Sequence, residues 1–139
     1  MLISTKGRYA LSVLIDIAEN NEGRYIPLKE IAKRQEISEK YLENIIPVLI
    51  ANDFLIGLRG KGGGYKLTRP PQSYTVGSVL KLVERGRLAS VACLEDDVEC
   101  IKESQCRTCN MWQRLQAKID EFFEGITIAD LCNKTGGLP

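Results

Sequence analysis

The sequence predicts a mainly α-helical protein with one small β-hairpin, and three observations support this fold class. Apolar residues recur at helical spacing through most of the 139 residues. Two short extended runs flank a glycine-rich stretch at 60–64, which is the pattern of a hairpin. A long helical pattern near the carboxyl end carries large apolar side chains in steps of three and four. A chain of this length can bury a core of its own.

Three helices are expected before the hairpin. The first spans 5–20 and can be capped by Ser4 or Thr5. The second places Pro27 in its first turn, where the missing N–H is not needed. The third begins after Ser38, a good capping residue, and Pro47 inside it predicts a kink or break near Ile46. The residues that this third helix is expected to bury are Leu42, Ile45, Ile46, Leu49 and Ile50.

The hairpin is expected at about 54–69, where Pro70 and Pro71 end it. A helix-turn-helix at about 28–51 followed by this hairpin makes a winged helix-turn-helix. We therefore predict a first domain over residues 1–74, with the hairpin as its wing.

The second region, 75–132, is expected to hold a linker helix capped by Thr75, a long connection at about 87–108 and a helix at about 110–124. A short helix at 127–132 precedes a tail, 133–139, that is expected to be disordered. The apolar residues of the long helix are enough to favour self-association over packing on its own domain. They are Trp112, Leu115, Ile119, Phe122 and Ile126.

Charge is unevenly distributed although the net charge is only +1. Residues 1–70 carry 11 Lys and Arg against 8 Asp and Glu, and the stretch 57–69 holds four of these cations and no acid. Such a patch suits a phosphate backbone, or it is simply a solvated loop. The first residues contain no apolar signal segment, and no apolar run approaches the roughly 20 residues that span a bilayer. We expect a cytoplasmic protein without a membrane partner.

Six residues are candidates for contact with DNA. Lysine can bond guanine, a carboxylate can accept from cytosine, and an arginine can enter a narrow minor groove. Alternatively, Tyr41 covers the edge of the core, Glu43 is a solvated charge and the glycine run is a flexible turn. The candidates on the third helix and the wing are Ser38, Lys40, Tyr41, Glu43, Arg59 and Lys61.

Four of the five cysteines fall in the long connection, with gaps of six, five and two residues, in a chain without histidine. They are Cys93, Cys100, Cys106 and Cys109. Three interpretations stay open: an iron–sulfur cluster, whose ligand spacings vary, a zinc site, which prefers two closely spaced pairs, and free thiols that sense oxidants. The fifth, Cys132, is expected to be a small buried residue.

Nothing in the sequence indicates an enzyme, because there is no histidine, no paired-carboxylate cleft and no nucleophile elbow. Two classes of binding protein remain. One is a DNA-binding regulator, and the other is a winged-helix module that binds proteins, with the acidic stretch 95–99 as a docking segment.

Several motifs together resemble the IscR/NsrR/CymR family of bacterial winged-helix repressors, over nearly the whole chain. Each motif is modest, but their order and spacing are specific. The matching segments are Ser4-Thr5-Lys6-Gly7-Arg8-Tyr9-Ala10, Ile31-Ala32, Ile37-Ser38, Tyr41-Leu42-Glu43 and Arg59-Gly60-x-Gly62-Gly63-Gly64-Tyr65.

The resemblance implies a homodimer that binds a near-palindromic DNA operator, with Arg59 in the minor groove. In cluster-binding members three loop cysteines hold the cluster, and Cys93, Cys100 and Cys106 match them, although the loop is one residue longer than in IscR. Cys109 stands where IscR has a histidine ligand, so it is inferred to complete an all-thiolate site. The cofactor implied is an iron–sulfur cluster, for which [2Fe-2S] is favoured and [4Fe-4S] stays open, with zinc as the alternative. Such a protein would sense iron–sulfur status, oxidants or nitric oxide. Members without these cysteines, such as CymR, work without a cluster.

Overall fold

The computed structural model describes residues 3–86, 88–132 and 138–139, and it is mainly helical with one two-stranded antiparallel sheet. The predicted fold class is confirmed. Most of the tail expected to be disordered, 133–137, lies outside the described residues. In chain order the elements are α1 (Thr5–Asn20), α2 (Leu28–Gln35), α3 (Glu39–Ala51), β1 (Leu55–Leu58), β2 (Gly64–Leu67), α4 (Val76–Val83), α5 (Cys109–Glu124) and α6 (Ile128–Cys132).

The first three helices follow the predicted pattern and are capped as expected. The Ser4 hydroxyl accepts the Gly7 N–H at the start of α1, and the Ser38 hydroxyl accepts the Tyr41 N–H at the start of α3. Pro27 precedes α2 as its cap and is not part of its first turn. These bonds satisfy helix-end donors that no intrahelical carbonyl can reach.

The structure departs from two expectations for α3. Of the kink or break expected near Ile46, the break is absent, because the helix continues past Pro47 to Ala51. Its buried face, with Ile45 and Leu49 fully inaccessible, packs in the core and offsets the one lost backbone bond. Ile50 is 40% exposed and not buried, because it lies at the edge of the apolar stripe, facing the hairpin.

The hairpin is joined to the helices by backbone pairing. Leu55 pairs with Leu67 and Gly57 with Tyr65. Ile26, just before α2, exchanges two hydrogen bonds of 2.9 Å with Tyr65. Gly64 makes this close approach possible, since a Cβ there would overlap the Ile26 carbonyl. We call α1–α3 with this hairpin the head.

The main core lies beneath α1, α3 and the hairpin, but it also takes in residues from beyond position 74. Val79 of α4 and Ile128 of α6 are fully buried in the same cluster as Leu14 and Leu42. Thr75 caps α4 as predicted. The division into domains at residue 74 stays a prediction.

The long helix α5 differs from the others because none of its residues is buried. Met111, Leu115 and Phe122 are 51%, 42% and 58% exposed. Ile126, predicted to extend this apolar seam, instead follows the helix and is buried, with its carbonyl accepting the Val76 N–H at 2.8 Å. The exposed apolar seam therefore ends at Phe122.

Candidate nucleic-acid interface and cysteine site

The residues expected to contact bases at the start of α3 differ in whether their side chains are free to bind a ligand. Lys40 and Glu43 are exposed. The Ser38 hydroxyl already accepts the Tyr41 N–H at 3.1 Å as the helix cap. The Tyr41 ring packs edge-on against Tyr9, with 5.2 Å between centroids. The core-edge interpretation of Tyr41 thus fits the structure, while Lys40 and Glu43 are open to a ligand.

The wing tip presents its two predicted cations to solvent. Arg59 and Lys61 are exposed on either side of Gly60, whose φ of 89° suits glycine. The turn closes through the Gly63 N–H, which donates to the Gly60 carbonyl at 2.9 Å. Two positive side chains therefore stand on a tip with little side-chain bulk, as contact with a phosphate backbone requires.

The base of the wing is fixed by Tyr74, a residue that sequence reasoning missed. Its fully buried hydroxyl donates to the Phe54 carbonyl at 2.9 Å and accepts the Thr68 and Arg69 N–H groups, each at 3.1 Å. These bonds satisfy groups on both strand ends. The sequence contained no signal for this role, since Tyr74 lies in an irregular segment after Pro71.

Asp16 is a second missed residue, because it lies on the apolar face of α1 and is fully buried. Its carboxylate accepts from Arg34 Nε at 2.9 Å, from Arg34 Nη2 at 2.8 Å and from Gln35 Nε2 at 2.9 Å. A carboxylate bonded in this way also raises the pKa of the Arg34 guanidinium. The pair sets α2 against α1, and α2 supports α3.

All four clustered cysteines line one cavity of about 250 Å³ between the long connection and the first turns of α5. We call the connection, residues 88–108, the cysteine loop. The cavity also has apolar and carboxylate walls. Its lining is Cys93, Leu94, Val98, Glu99, Cys100, Glu103, Cys106, Cys109, Trp112 and Gln113.

The thiols of this cavity have unequal acidity. The pKa of Cys106 is lowered, chiefly because its sulfur bonds the Thr108 hydroxyl at 3.4 Å. The pKa of Cys109 is raised, first by desolvation and then by the negative charge of Glu103 and the other three cysteines. Four thiolates so close together repel one another, and a bound cation would remove that penalty.

The thiols surround the cavity and do not converge on one point. Among the residues described, no three cysteine or acidic side chains are arranged to hold a single metal ion. Cys132 lies elsewhere, on α6 and partly buried, with its sulfur 4.0 Å from the Ile15 carbonyl oxygen. Burial raises the pKa of its thiol, which agrees with the expected packing role.

The cysteine loop is attached to α5 mainly through one amide side chain. Gln116 Oε1 accepts the Ser90 N–H at 2.6 Å, and Nε2 donates to the Leu88 carbonyl at 3.2 Å and to Asp120 at 3.1 Å. Farther along, Glu124 accepts from Lys81 at 2.9 Å and ties α5 to α4. A path of direct contacts therefore leads from the loop through α5 to the helices that pack on the head.

No helix in the described part of the chain combines the length and apolar character needed to cross a bilayer.

Comparisons with known proteins show which family this chain belongs to. The Rrf2 family model, described as an iron-dependent transcriptional regulator, matches residues 3–134. The chain is 33% identical over 133 residues to the HTH-type transcriptional regulator IscR of Yersinia pseudotuberculosis, which covers 96% of this chain and 80% of that protein.

Two solved structures share the fold. CymR, the global cysteine regulator of B. subtilis, aligns with a TM-score of 0.78 at 31% identity, over 96% of this chain and 98% of that chain. IscR of T. potens aligns with a TM-score of 0.74 at 30% identity, over 97% and 88%. The resemblance inferred from the motifs is confirmed, and so is the expectation that the protein is not an enzyme. The chain belongs to the Rrf2 family of DNA-binding transcriptional regulators.

Proposed function

We propose that this regulator binds a near-palindromic operator as a homodimer and that an iron–sulfur cluster in the cysteine cavity controls the binding. The observation that carries the proposal is that Cys93, Cys100, Cys106 and Cys109 all line one cavity beside α5. The cavity lies next to the helix with the exposed apolar seam, so a change in the cavity acts where two subunits would meet.

The donor set fits a cluster. Four soft thiolates without histidine suit iron–sulfur or zinc chemistry. The four thiolates that line one cavity could hold either group. The match to a family described as iron-dependent transcriptional regulators favours the cluster.

The dimer is supported by the exposed face of α5. Met111, Leu115 and Phe122 are each more than 40% exposed on a helix that buries none of its residues. Large apolar side chains in such a row are enriched at interface cores. A two-fold dimer through this face would place two heads on one duplex, with half-sites about 34–36 Å apart.

Control follows from the contacts of the loop. Cys93, Cys100, Cys106 and Cys109 would hold the cluster, whose iron would offset part of the repulsion among their thiolates and tie their positions together. Cys109 is the first residue of α5, so ordering the loop fixes the start of that helix. Loss of the cluster to oxidants, nitric oxide or iron shortage frees the loop, and the spacing of the two heads is no longer held.

The cluster is tested by anaerobic purification from iron-fed cells, with iron, sulfide and zinc assays and an absorption spectrum. We expect a coloured protein with iron and sulfide in equal amounts. Cys106→Ala should lose the colour and bind the operator poorly while remaining folded. The matched control is Cys132→Ala, which removes a thiol outside the cavity and should retain both properties. A colourless wild-type protein containing zinc would contradict the cluster.

DNA contacts are tested on duplexes that the protein selects from a random library. If a dimer neutralises about eight phosphates, a plot of the logarithm of affinity against the logarithm of salt concentration should have a slope of about −7. Lys61→Ala should weaken binding to all duplexes and reduce this slope, since Lys61 is an exposed cation at the wing tip. Glu43→Ala should broaden the range of accepted sites. Unchanged site preference in Glu43→Ala would remove its proposed role.

A further inference from the structure

A shallow apolar trough separates α3 from the wing. Its volume is about 370 Å³, and Glu43 is the one charged residue among its lining. Ile50, which the periodicity of α3 assigns to the core, is left 40% exposed here. The apolar walls are Leu28, Ile46, Pro47, Ile50, Ala51 and Tyr65.

The trough continues to the wing tip. Ile50 and Tyr65 also line a second cavity of about 300 Å³, whose other walls include Leu58 and Arg59. Gly57 keeps the junction open, since a Cβ there would lie 3.4 Å from the Tyr65 ring and 3.7 Å from Ile50 Cδ1. One continuous apolar surface therefore runs from Glu43 to Arg59.

The two ends of this surface are residues proposed above to read DNA, so the trough is continuous with that interface. The major groove presents one apolar group on its base edges, the C5-methyl of thymine. A phosphate is disfavoured here, because the walls are apolar and the Glu43 carboxylate would repel it. Glu43 itself can accept a hydrogen bond from cytosine N4.

The geometry points to a thymine methyl as the occupant: the trough reads the C5-methyl of a thymine on the wing side of the base contacted by Glu43. This inference rests on the proposed function. It adds an apolar specificity determinant, centred on Ile50, to a surface otherwise described by its charged and polar side chains.

The test uses the full-length protein and a duplex that it has selected from a random library. Each thymine is replaced in turn by deoxyuridine, which keeps every hydrogen-bonding group and lacks only the methyl. At one position per half-site we expect a loss of about fourfold in affinity per methyl, and about 15-fold when both half-sites are changed. Replacement at other positions should have little effect.

Two variants locate the contact on the protein. Ile50→Ala should bind the thymine and deoxyuridine duplexes equally, because the wall that contacts the methyl is gone. Ile56→Ala is the matched control, since Ile56 is 49% exposed on the hairpin and lines neither cavity. It should keep the wild-type ratio. Circular dichroism melts of both variants establish that they are folded.

Four results would overturn the inference that the trough reads a thymine methyl. Equal binding of both duplexes by the wild type overturns the inference. Ile50→Ala that weakens both duplexes by the same factor also overturns it and assigns the trough to deoxyribose. A shift of Ile50→Ala from dimer to monomer would assign the trough to a second copy of the chain. If the wild type selects no duplex at all, the proposed function falls as well, which distinguishes the two failures.

Discussion

The head and the cysteine loop differ in the interactions that stabilise them. In the head, Leu14, Ile17, Leu42 and Leu49 are fully buried in one core. Within residues 88–108, all of which the structure describes, Leu88 alone is buried. The loop therefore depends on a few hydrogen bonds, whereas the head is stabilised by apolar burial.

This difference indicates that the two regions have different roles. The surface proposed to read DNA is preformed, because its wing and α3 are fixed by Tyr74 and by the pairing of Ile26 with Tyr65. The part proposed to sense is only loosely tied, so ligand binding can change its order at small energetic cost. A regulator built in this way can gain or lose a signal without unfolding its reading surface.

Hydrogen exchange offers the sharpest test of the comparison and the largest expected effect. Amides of α1 and α3 should exchange only on global unfolding, while those at 92–105 in the cluster-free protein should exchange almost freely. The gap in opening free energy should exceed about 5 kcal/mol. Mass spectrometry with and without the cluster measures it, and cluster binding should protect the loop and the first turn of α5 but not α1 and α3. Equal protection of the two regions without the cluster would refute the comparison.

Asp16→Ala should be the most destabilising single change proposed for the head. It leaves the Arg34 guanidinium, which is 33% exposed, without its buried partner, and breaking such a pair costs about 3 kcal/mol. Urea denaturation measures the loss. The control is Glu30→Ala, which removes the exposed carboxylate bonded to the same Arg34 at 3.0 Å and should cost much less. A similar loss of unfolding free energy in the two variants would show that the burial of Asp16 adds no stability.

Gln116→Ala should loosen the loop with little effect on the head. The change removes the side chain that accepts from the Ser90 N–H and donates to the Leu88 carbonyl, which should lower the local opening free energy by about 1–2 kcal/mol. Exchange of residues 88–92 reports this effect. Gln113→Ala is the control on the same helix, because Gln113 makes one long bond of 3.4 Å to Glu103. If Gln116→Ala lowers global stability instead, the loop is part of the cooperative core.

The smallest effect concerns pH. The pKa of Glu124 is lowered, first by the Thr75 hydroxyl and then by Lys81. A lowered pKa means that this stabilisation is present above the unfolded-state pKa and is lost as pH falls through the folded-state value. The side chain is 43% exposed, so solvent screening limits the effect to under about 1 kcal/mol. Denaturation of Glu124→Gln should show a shallower fall in stability on acidification than the wild type, and an unchanged slope would contradict this contribution.

Local patterns predicted the helices and the wing well, because their signals act over a few residues. The hydroxyls of Ser38 and Thr75 cap the helices that they were expected to cap. The position of the wing followed from two extended runs around glycine. At Pro47 a local rule predicted a kink or a break, and the break is absent because burial of the α3 face in the core keeps the helix continuous.

The cysteines illustrate both what the sequence can predict and what it leaves open. Their clustering is visible in the sequence, but the spacing left cluster, zinc and free thiols open, since gaps along a chain do not define distances in space. The fold places all four around one cavity and Cys132 elsewhere. The ligand roles of these residues, like the DNA contacts of Lys40 and Arg59, stay predictions.

By itself the sequence determined the fold class, the helix caps, the wing and the family, because periodicity, capping and motif order are properties of short stretches of chain. Tertiary structure alone decided that Asp16 is buried against Arg34, that Tyr74 fixes the wing and that Ile50 lines an open trough. Each of these depends on contacts between segments far apart in the chain, and such contacts exist only once the core has formed and brought those segments together.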